Sequence, residues 1–184
     1  EVKAWSVTSG SHPGAGCRLI ATYNNRLILS GLQSDPQNLF ASKVGDPADF
    51  DYSPATVTSE IAWAGNAGEA ATPGDKIMAL APIPDSDVMI VGCDHSIFQV
   101  SGDVAAGGRF DNLSDTIGMA WGKAFCFNPQ GLMYFLGSDG QIYAVAANSK
   151  PRMLTGDRIY ERLASIDFSN RLVSMAWDRR QQGA

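Results

Sequence analysis

Short apolar runs separated by polar turns recur along the chain, and they set its predicted fold. Runs such as LILSG, VMIVG and LMYFLG are almost continuously apolar, which is typical of strands buried on both faces. Other runs alternate: in SIFQVSG, Ile97 and Gln99 face one way, while Phe98 and Val100 face the other. The pattern predicts an all-β fold made of many short strands.

Residues with turn-forming chemistry lie between these runs. Asn24-Asn25 tolerates the positive φ angles of a tight hairpin, and Asp139-Gly140 is a strong hairpin signal. Proline opens the turns Pro84–Asp87 and Pro129–Gly131, because its ring fixes φ early in the turn. We therefore expect hairpins at these four places.

The same succession of elements occurs three times in the sequence. Each repeat has an apolar strand, a polar turn, a second apolar strand ending in Gly and a third strand with an aromatic residue. Gly31, Gly92 and Gly137 mark equivalent positions, 61 and 45 residues apart. The shorter spacing fits a four-stranded β-propeller blade of roughly 40–50 residues. The longer spacing predicts an extended loop within 54–73, where Ala and Gly are frequent.

These repeats predict a single propeller-like domain over 1–184. The fold class is an all-β propeller or propeller fragment, with about three four-stranded antiparallel blades plus the start of a fourth. Each unit is expected to end in an outer strand with short helical turns, such as RIYERLASI in the third unit. A closed propeller usually needs four to eight blades, so the domain is expected to belong to a longer chain. The predicted blades are 16–72, 73–121 and 122–169, and the next one begins, with the opening strand RLVSMAW, within 170–184.

Composition limits the function classes. The net charge is −5 and the densest basic positions are the pairs Lys150/Arg152 and Arg179/Arg180, which argues against sequence-specific nucleic-acid binding. Cys17, Cys93 and Cys126 lie far apart with no CxxC pair, so reduced thiols are expected rather than a disulfide framework or a zinc site. No apolar run approaches the ~18 residues of a membrane span, so membrane insertion is not expected.

The side chains that could carry chemistry also have structural interpretations. Asp46, Asp49 and Asp51 are oxygen ligands of the kind that Ca²⁺ prefers, but their spacing is not that of an EF-hand. Cys93-Asp94-His95 resembles a nucleophile with a base, although it follows a strand where a turn with a buried Cys and an exposed His is expected. His12, the Asp85/Asp87 pair and Trp177-Asp178 are interpreted as loop, turn and chance features, and Trp5, Trp63 and Trp121 as packing residues. No catalytic, cofactor-binding or metal-binding residue is predicted.

One segment carries a family resemblance. LIATYNNRLILSGLQSDPQNLFASKVGDPADFDY is similar to a recurrent blade of β-propeller proteins in bacteriophage tails and necks. Later segments, such as FDNLSDTIGMAWGKAF, resemble later blades, so the similarity extends over roughly Cys17 to Trp177. The matching residues are Arg26, Leu27, Gly31, Pro36, Ser42, Gly45, Asp46, Asp49 and Phe50.

The resemblance implies a non-enzymatic structural protein of a virion, assembled in the host cytoplasm. It would be the nozzle or hub of a short tail, or a head–tail stabilising protein, with other copies of itself and neighbouring tail or neck proteins as partners. The host surface is a further candidate partner. The loops around Ala64–Gly74 and Gly45–Tyr52 are the predicted contact regions. The alternatives are a receptor- or carbohydrate-binding propeller and a glycosidase with two convergent carboxylates.

Overall fold

A computed structural model describes residues 6, 8–10, 13, 16–66, 74–156 and 172–181. Nearly all of its regular structure is β-strand, and one 3-10 turn is present at Val104–Ala106. The strands are β1 (Ser9–Gly10), β2 (Leu19–Tyr23), β3 (Arg26–Ser30), β4 (Asn38–Ala41), β5 (Asp49–Phe50), β6 (Trp63–Asn66), β7 (Ile77–Pro82), β8 (Val88–Cys93), β9 (Ile97–Ser101), β10 (Arg109–Ser114), β11 (Phe125–Phe127), β12 (Met133–Leu136), β13 (Ile142–Val145) and β14 (Arg152–Met153).

The strands form three four-stranded antiparallel sheets, each from one continuous stretch of chain. The first sheet has the order β2-β3-β4-β6, the second β7-β8-β9-β10 and the third β11-β12-β13-β14. A two-stranded parallel pair, β1 with β5, lies beside the first sheet. The predicted all-β class with antiparallel four-stranded sheets is confirmed. The described sheets do not close into a ring.

All four predicted hairpins are present. Asn24 and Asn25 connect β2 to β3 with φ angles of 48° and 56°, the left-handed values that a two-residue hairpin requires. Residues 83–87, 128–132 and 137–141 make the corresponding turns between β7 and β8, β11 and β12, and β12 and β13. Because these turns are fixed by local chemistry, the pairing of the two strands that each turn connects follows directly from the sequence.

The three sheets pack face to face, with the second sheet in the middle. Ile28 and Leu39 of the first sheet share one core with Met89 and Val91 of the second. The opposite face of the second sheet, represented by Ile90, packs on the third sheet. Side chains of adjacent residues in a strand point to opposite faces, so neighbouring residues of β8 serve the two cores in turn. Burial of apolar area contributes about 25 cal/mol per Å². The packing of these apolar faces is therefore expected to be the main stabilising contribution to the three stacked sheets.

The far face of the third sheet is covered by the chain's own 172–181 segment. Val173 and Met175 pack against the core around Leu136, and the indole of Trp177 stacks on the Tyr134 ring with centroids 5.4 Å apart. The predicted opening strand in this segment is wrong for residues 172–177, which are not assigned to a strand. One backbone hydrogen bond, from Met175 N–H to the Lys123 carbonyl at 3.0 Å, attaches this segment to the described chain, which is too little for a regular ladder.

Two further predictions need correction. The segment Trp63–Asn66 lies inside the extended loop predicted within 54–73, but it forms β6, because its backbone pairs with β4 from Asn38 to Ala41. Gly92 was taken as equivalent to Gly31 and Gly137, but its position relative to the strand pairing differs by one residue. Gly31 and Gly137 each lie two residues after the residue that pairs with the aromatic residue of the third strand, whereas Gly92 lies one residue after it. Leu29 pairs with Phe40 and Phe135 with Tyr143, whereas Phe98 pairs with Val91, the residue directly before Gly92.

Several predictions lie outside the described residues. They concern Trp5, His12, residues 67–73 of the predicted loop and the helical turns expected in RIYERLASI. The outer strands that were expected near them are present as β10 and β14, and the 3-10 turn Val104–Ala106 precedes β10. No helix in the described part of the chain is long and apolar enough to cross a membrane.

Candidate functional site

The Arg26 side chain, at the start of β3, makes an extensive set of hydrogen bonds. It is fully buried and reaches from the first sheet to Asp103, which follows β9 in the second sheet. Nε and Nη2 donate to the Asp103 carboxylate at 3.1 and 3.0 Å, and Nη1 donates to the carbonyls of Ser42 and Ile61 at 2.7 and 2.6 Å. Nη2 also donates to the Ser59 carbonyl. The guanidinium donors are therefore all used in hydrogen bonds within the protein, and none is left for a ligand.

Two other buried polar side chains join neighbouring sheets. The Tyr23 hydroxyl lies 2.9 Å from the Gly102 carbonyl across the first interface, and burial together with the nearby Asp87 carboxylate raises the pKa of this phenol. Across the second interface, Gln99 and Asn148 bond twice. Gln99 Nε2 donates to Asn148 Oδ1 at 2.7 Å, and Asn148 N–H donates to Gln99 Oε1 at 2.6 Å. These contacts fix the positions of the sheets relative to each other.

The corner Gly45–Tyr52 is organised by its own aspartates, as the sequence predicts. Gly45 has φ of 74°, which an L side chain adopts only with strain. Asp46, Asp49 and Asp51 each accept a hydrogen bond at 3.0 Å from the backbone N–H two residues ahead. These carboxylates are thereby directed to separate amides, and no group of three metal-ligating side chains occurs among the described residues.

The aromatic residues of this corner fold inward. Phe50 is fully buried and meets the Tyr52 ring edge to face, with centroids 6.5 Å apart. The Tyr52 hydroxyl oxygen is buried and has no hydrogen-bond partner in the described part of the chain. Burial, and to a smaller extent Cys17, raises the pKa of Tyr52 to about 12. The corner is therefore anchored by aromatic packing and exposes mainly its Gly45 and Pro47 tip.

Cys93 and His95 are separated rather than brought together. Cys93 ends β8 and is fully buried in the core between the first and second sheets. The His95 ring is exposed, with Nδ1 3.7 Å from Asp75 Oδ1, and the His95 N–H donates to Asp75 Oδ2. Burial, followed by Asp75, raises the pKa of the Cys93 thiol to about 12. A thiol that stays protonated and faces a core is not an activated nucleophile, and the predicted placement of both residues is confirmed.

A first groove, the turn groove, lies where the hairpin turns of the second and third sheets meet the 172–181 segment. Its volume is about 950 Å³. Trp177 forms one wall and packs on Tyr134, while Asp85 is the one carboxylate among its lining residues. The polar lining consists of Asp85, Ser86, Asn128, Gln130 and Arg179.

A second groove, the Trp121 groove, lies at the opposite ends of the strands and has a volume of about 730 Å³. Lys76 places its ammonium 5.7 Å from the centre of the Trp121 ring, which is a cation–π distance. Arg18, Lys76 and Asp94 are its charged lining residues. Neither groove is lined by two carboxylates, so the paired-carboxylate geometry of a glycosidase is not available in either of them.

Sequence reasoning missed the contacts that join the sheets. Arg26 was noted only as part of a motif, and its partner Asp103 lies 77 residues away. The one local signal was the Gly-Asp pair after the third strand, present both at Gly45-Asp46 and at Gly102-Asp103. Trp63 was assigned to an irregular segment, but it begins β6 and stacks on Phe110 of the second sheet with centroids 5.8 Å apart.

The comparisons with known proteins assign no family. No protein-family model matches the chain, and no curated protein matches its sequence.

Proposed function

We propose that this chain is a non-enzymatic structural protein of a bacteriophage virion, located in the tail or neck. In this role the three sheets are blades of a β-propeller scaffold, and the loops contact neighbouring tail or neck proteins and other copies of the chain. The observation that carries the proposal is the stacking of three sequence-contiguous sheets whose buried polar groups bond to one another across the interfaces. Sheets held together in this way suit a rigid scaffold better than an enzyme.

The residues behind the family resemblance support a scaffold role, because Arg26 joins two sheets and the others fix turns and packing in and beside the first sheet. Arg26 spans the first interface, and Ser42 is fully buried with its hydroxyl accepting the Leu27 N–H at 3.0 Å. Phe50 is fully buried in the corner that Gly45 opens. A motif made of packing and turn residues is what a repeated structural unit needs.

The spacing and stacking of the sheets support the propeller geometry. Each sheet is a four-stranded meander, and successive sheets pack with the same order of strands along the chain. Propellers are built from four-stranded sheets of this kind arranged radially, and the loops between their strands project from the two faces of the propeller. The turn groove and the Trp121 groove would then lie on opposite faces, where neighbours in a virion make contact.

Analysis of purified particles tests this proposal. Antibodies raised against the chain would be used for immunogold labelling of phage particles from the organism that encodes it, with mass spectrometry of the same preparation. We expect the chain in stoichiometric amounts and the gold at one structure, the tail or neck. A chain that remains with the free protein of the lysate, and is missing from gradient-purified particles, contradicts the proposal.

A second candidate function is carbohydrate or receptor binding in the turn groove. The observation that favours it is Trp177, an aromatic wall held in place by Tyr134 and surrounded by amide and guanidinium donors. An aromatic face with nearby polar groups is suited to bind a sugar ring. A glycan array probed with the purified chain tests this function.

The array experiment has a matched pair of variants. Gln130→Ala removes an exposed amide from the turn groove, and Gln33→Ala removes an exposed amide from the Trp121 groove. If the turn groove binds glycans, the first variant weakens a specific array signal and the second leaves it unchanged. A wild-type array without specific signal removes this candidate.

A further inference from the structure

Two exposed basic side chains, Arg18 and Lys76, lie on the walls of the Trp121 groove. Arg18 directly precedes β2 and Lys76 directly precedes β7, and these two strands lie next to each other across the first interface. The first and second sheets therefore each contribute one cation to the groove. Neither cation forms an ion pair with a carboxylate of the described residues, whereas Arg26, Lys43 and Arg109 do.

The Lys76 ammonium is held by an aromatic ring instead. It lies 5.7 Å from the centre of the Trp121 ring, whose negative face attracts a cation. Trp121 packs on the core between the first two sheets, and the N–H of Gly122 donates to the Met78 carbonyl at 2.9 Å. Gly31 leaves room for the indole, since a Cβ there would lie 3.2 Å from the ring carbon Cη2. The positive charge is therefore held at the groove without being neutralised.

Asp94 is the one acidic residue among those that line the groove. Its Oδ2 lies 3.8 Å from Nδ1 of the exposed His95, so this carboxylate is directed towards the imidazole ring. The lining carries two positive charges against one negative charge, in a chain whose net charge is −5. A local surplus of positive charge favours a ligand with carboxylates, because complementary charges steer and orient an incoming partner.

Much of the remaining lining is apolar. Leu32, Pro36, Met78 and Met119 lie around the groove with Trp121, and methionine side chains adapt to irregular partners. The volume of about 730 Å³ lies within the range of roughly 300–1,000 Å³ that is typical of ligand sites. A groove of this size accommodates a few side chains rather than a whole domain. It therefore fits a short segment in which acidic residues flank an apolar one.

We propose that the Trp121 groove binds an acidic segment of a neighbouring protein, with carboxylates paired to Arg18 and Lys76 and an apolar side chain against Trp121. The proposal names the chemistry of one contact in the proposed scaffold function and rests on that function for its biological setting. The planar guanidinium of Arg18 is suited to bond a carboxylate at two points. A nucleic acid is a less suitable ligand, because binding its phosphate backbone requires a longer row of cations than the groove provides.

Fluorescence anisotropy with a labelled synthetic peptide tests this site. The probe is Glu-Glu-Leu-Glu-Glu, titrated with the full chain at low ionic strength, and Gln-Gln-Leu-Gln-Gln is the uncharged comparison. We expect the acidic peptide to bind saturably and the uncharged one not to bind. Arg18→Gln and Lys76→Gln are each expected to weaken binding about tenfold, because each removes one charge-assisted contact. Both side chains are exposed, so these variants should fold like the wild type.

Lys123→Gln is the matched control, because Lys123 is also exposed and lies just before β11, but it is not among the residues that line the groove. It changes the net charge by the same amount and is expected to leave binding unchanged. Absence of saturable binding, equal weakening by all three substitutions, or tighter binding of a thymidine oligonucleotide of the same charge overturns the inference. The particle analysis of the virion role does not depend on this result, so failure of either proposal is recognised separately.

Discussion

Arg26 and Asp103 form a two-point ion pair that joins the first sheet to the second. Nε and Nη2 of the buried guanidinium bond to the carboxylate at 3.1 and 3.0 Å, and the remaining donors take backbone carbonyls. The Asp103 side chain is 24% exposed, so the pair lies at the margin of the interface with the charge on Arg26 entirely inside. Burying a charge is costly unless it is paired, and this makes the carboxylate essential to the interface.

Asp103→Asn is expected to destabilise the protein by about 3 kcal/mol, because it leaves a buried guanidinium without its counter-charge. The amide keeps the shape of the side chain and the acceptor that caps the following 3-10 turn through Ala105 N–H. Urea unfolding followed by tryptophan fluorescence measures the change. Asp111→Asn is the control, because Asp111 pairs with the exposed Arg109 and its loss should cost about 0.5 kcal/mol or less. Equal costs for the two variants would contradict the structural role of Asp103.

Gly118→Ala is expected to cost about 3 kcal/mol or more, since a Cβ at this position would overlap the backbone carbonyl oxygen of Asp94. Gly45→Ala is the comparison. There a Cβ meets open space, and only the φ of 74° is strained, which corresponds to about 1 kcal/mol. Chemical denaturation of both variants gives the two numbers. The prediction fails if Gly118→Ala is the milder change.

Tyr52→Phe is expected to leave stability unchanged or to raise it by up to about 1 kcal/mol, because the buried hydroxyl has no partner among the described residues. Tyr23→Phe is the matched change, since it removes the donor to the Gly102 carbonyl and should cost about 1 kcal/mol. Thermal unfolding of the two variants alongside the wild type provides the test. A clear loss of stability in Tyr52→Phe would indicate a hydroxyl partner in the folded protein.

The free energy of unfolding is expected to fall as the pH rises above about 8.5. The thiol of an unfolded chain ionises near that pH, whereas burial and Asp75 raise the pKa of Cys93 to about 12 in the folded protein. The stabilising contribution is therefore complete below about pH 8.5 and is lost towards pH 12, at up to about 1.4 kcal/mol per pH unit. Burial also raises the pKa values of Tyr23 and Tyr143, which extends the loss to higher pH.

Urea midpoints at pH 7.5, 9 and 10 measure this dependence. Cys93→Ala removes the titrating group, so its midpoint should fall less steeply over the same range, whatever its stability at neutral pH. Parallel slopes for the variant and the wild type would show that Cys93 is not responsible.

The hairpins were predictable because their causes are local. Asn24 and Asn25 adopt left-handed φ angles at little cost, and so does Gly140 in the Asp139-Gly140 turn, with φ of 80°. Once these turns are placed, the alternation and length of the apolar runs define strands such as β8 and β9. The hairpin pairs within the antiparallel sheets follow from such short-range information.

The remaining features depend on residues distant in sequence. The strand β6 contains Ala64 and Gly65, which have little strand propensity, and it exists because β4 supplies the hydrogen bonds. The ion pair of Arg26 with Asp103 and the two hydrogen bonds between Gln99 and Asn148 depend on how whole sheets pack. This packing cannot be read from any short segment of the sequence. The grooves have the same origin, because each is lined by loops from different sheets.

Because each sheet is one unbroken stretch of chain, the architecture can lengthen by in-frame duplication of a gene segment of roughly 40–50 codons. A duplicated unit brings its own complete ladder and needs new complementarity only at its two faces. Substitutions at residues in the cores between sheets, such as Val91 and Phe135, would then decide which neighbour each copy accepts, while the turns could vary in sequence.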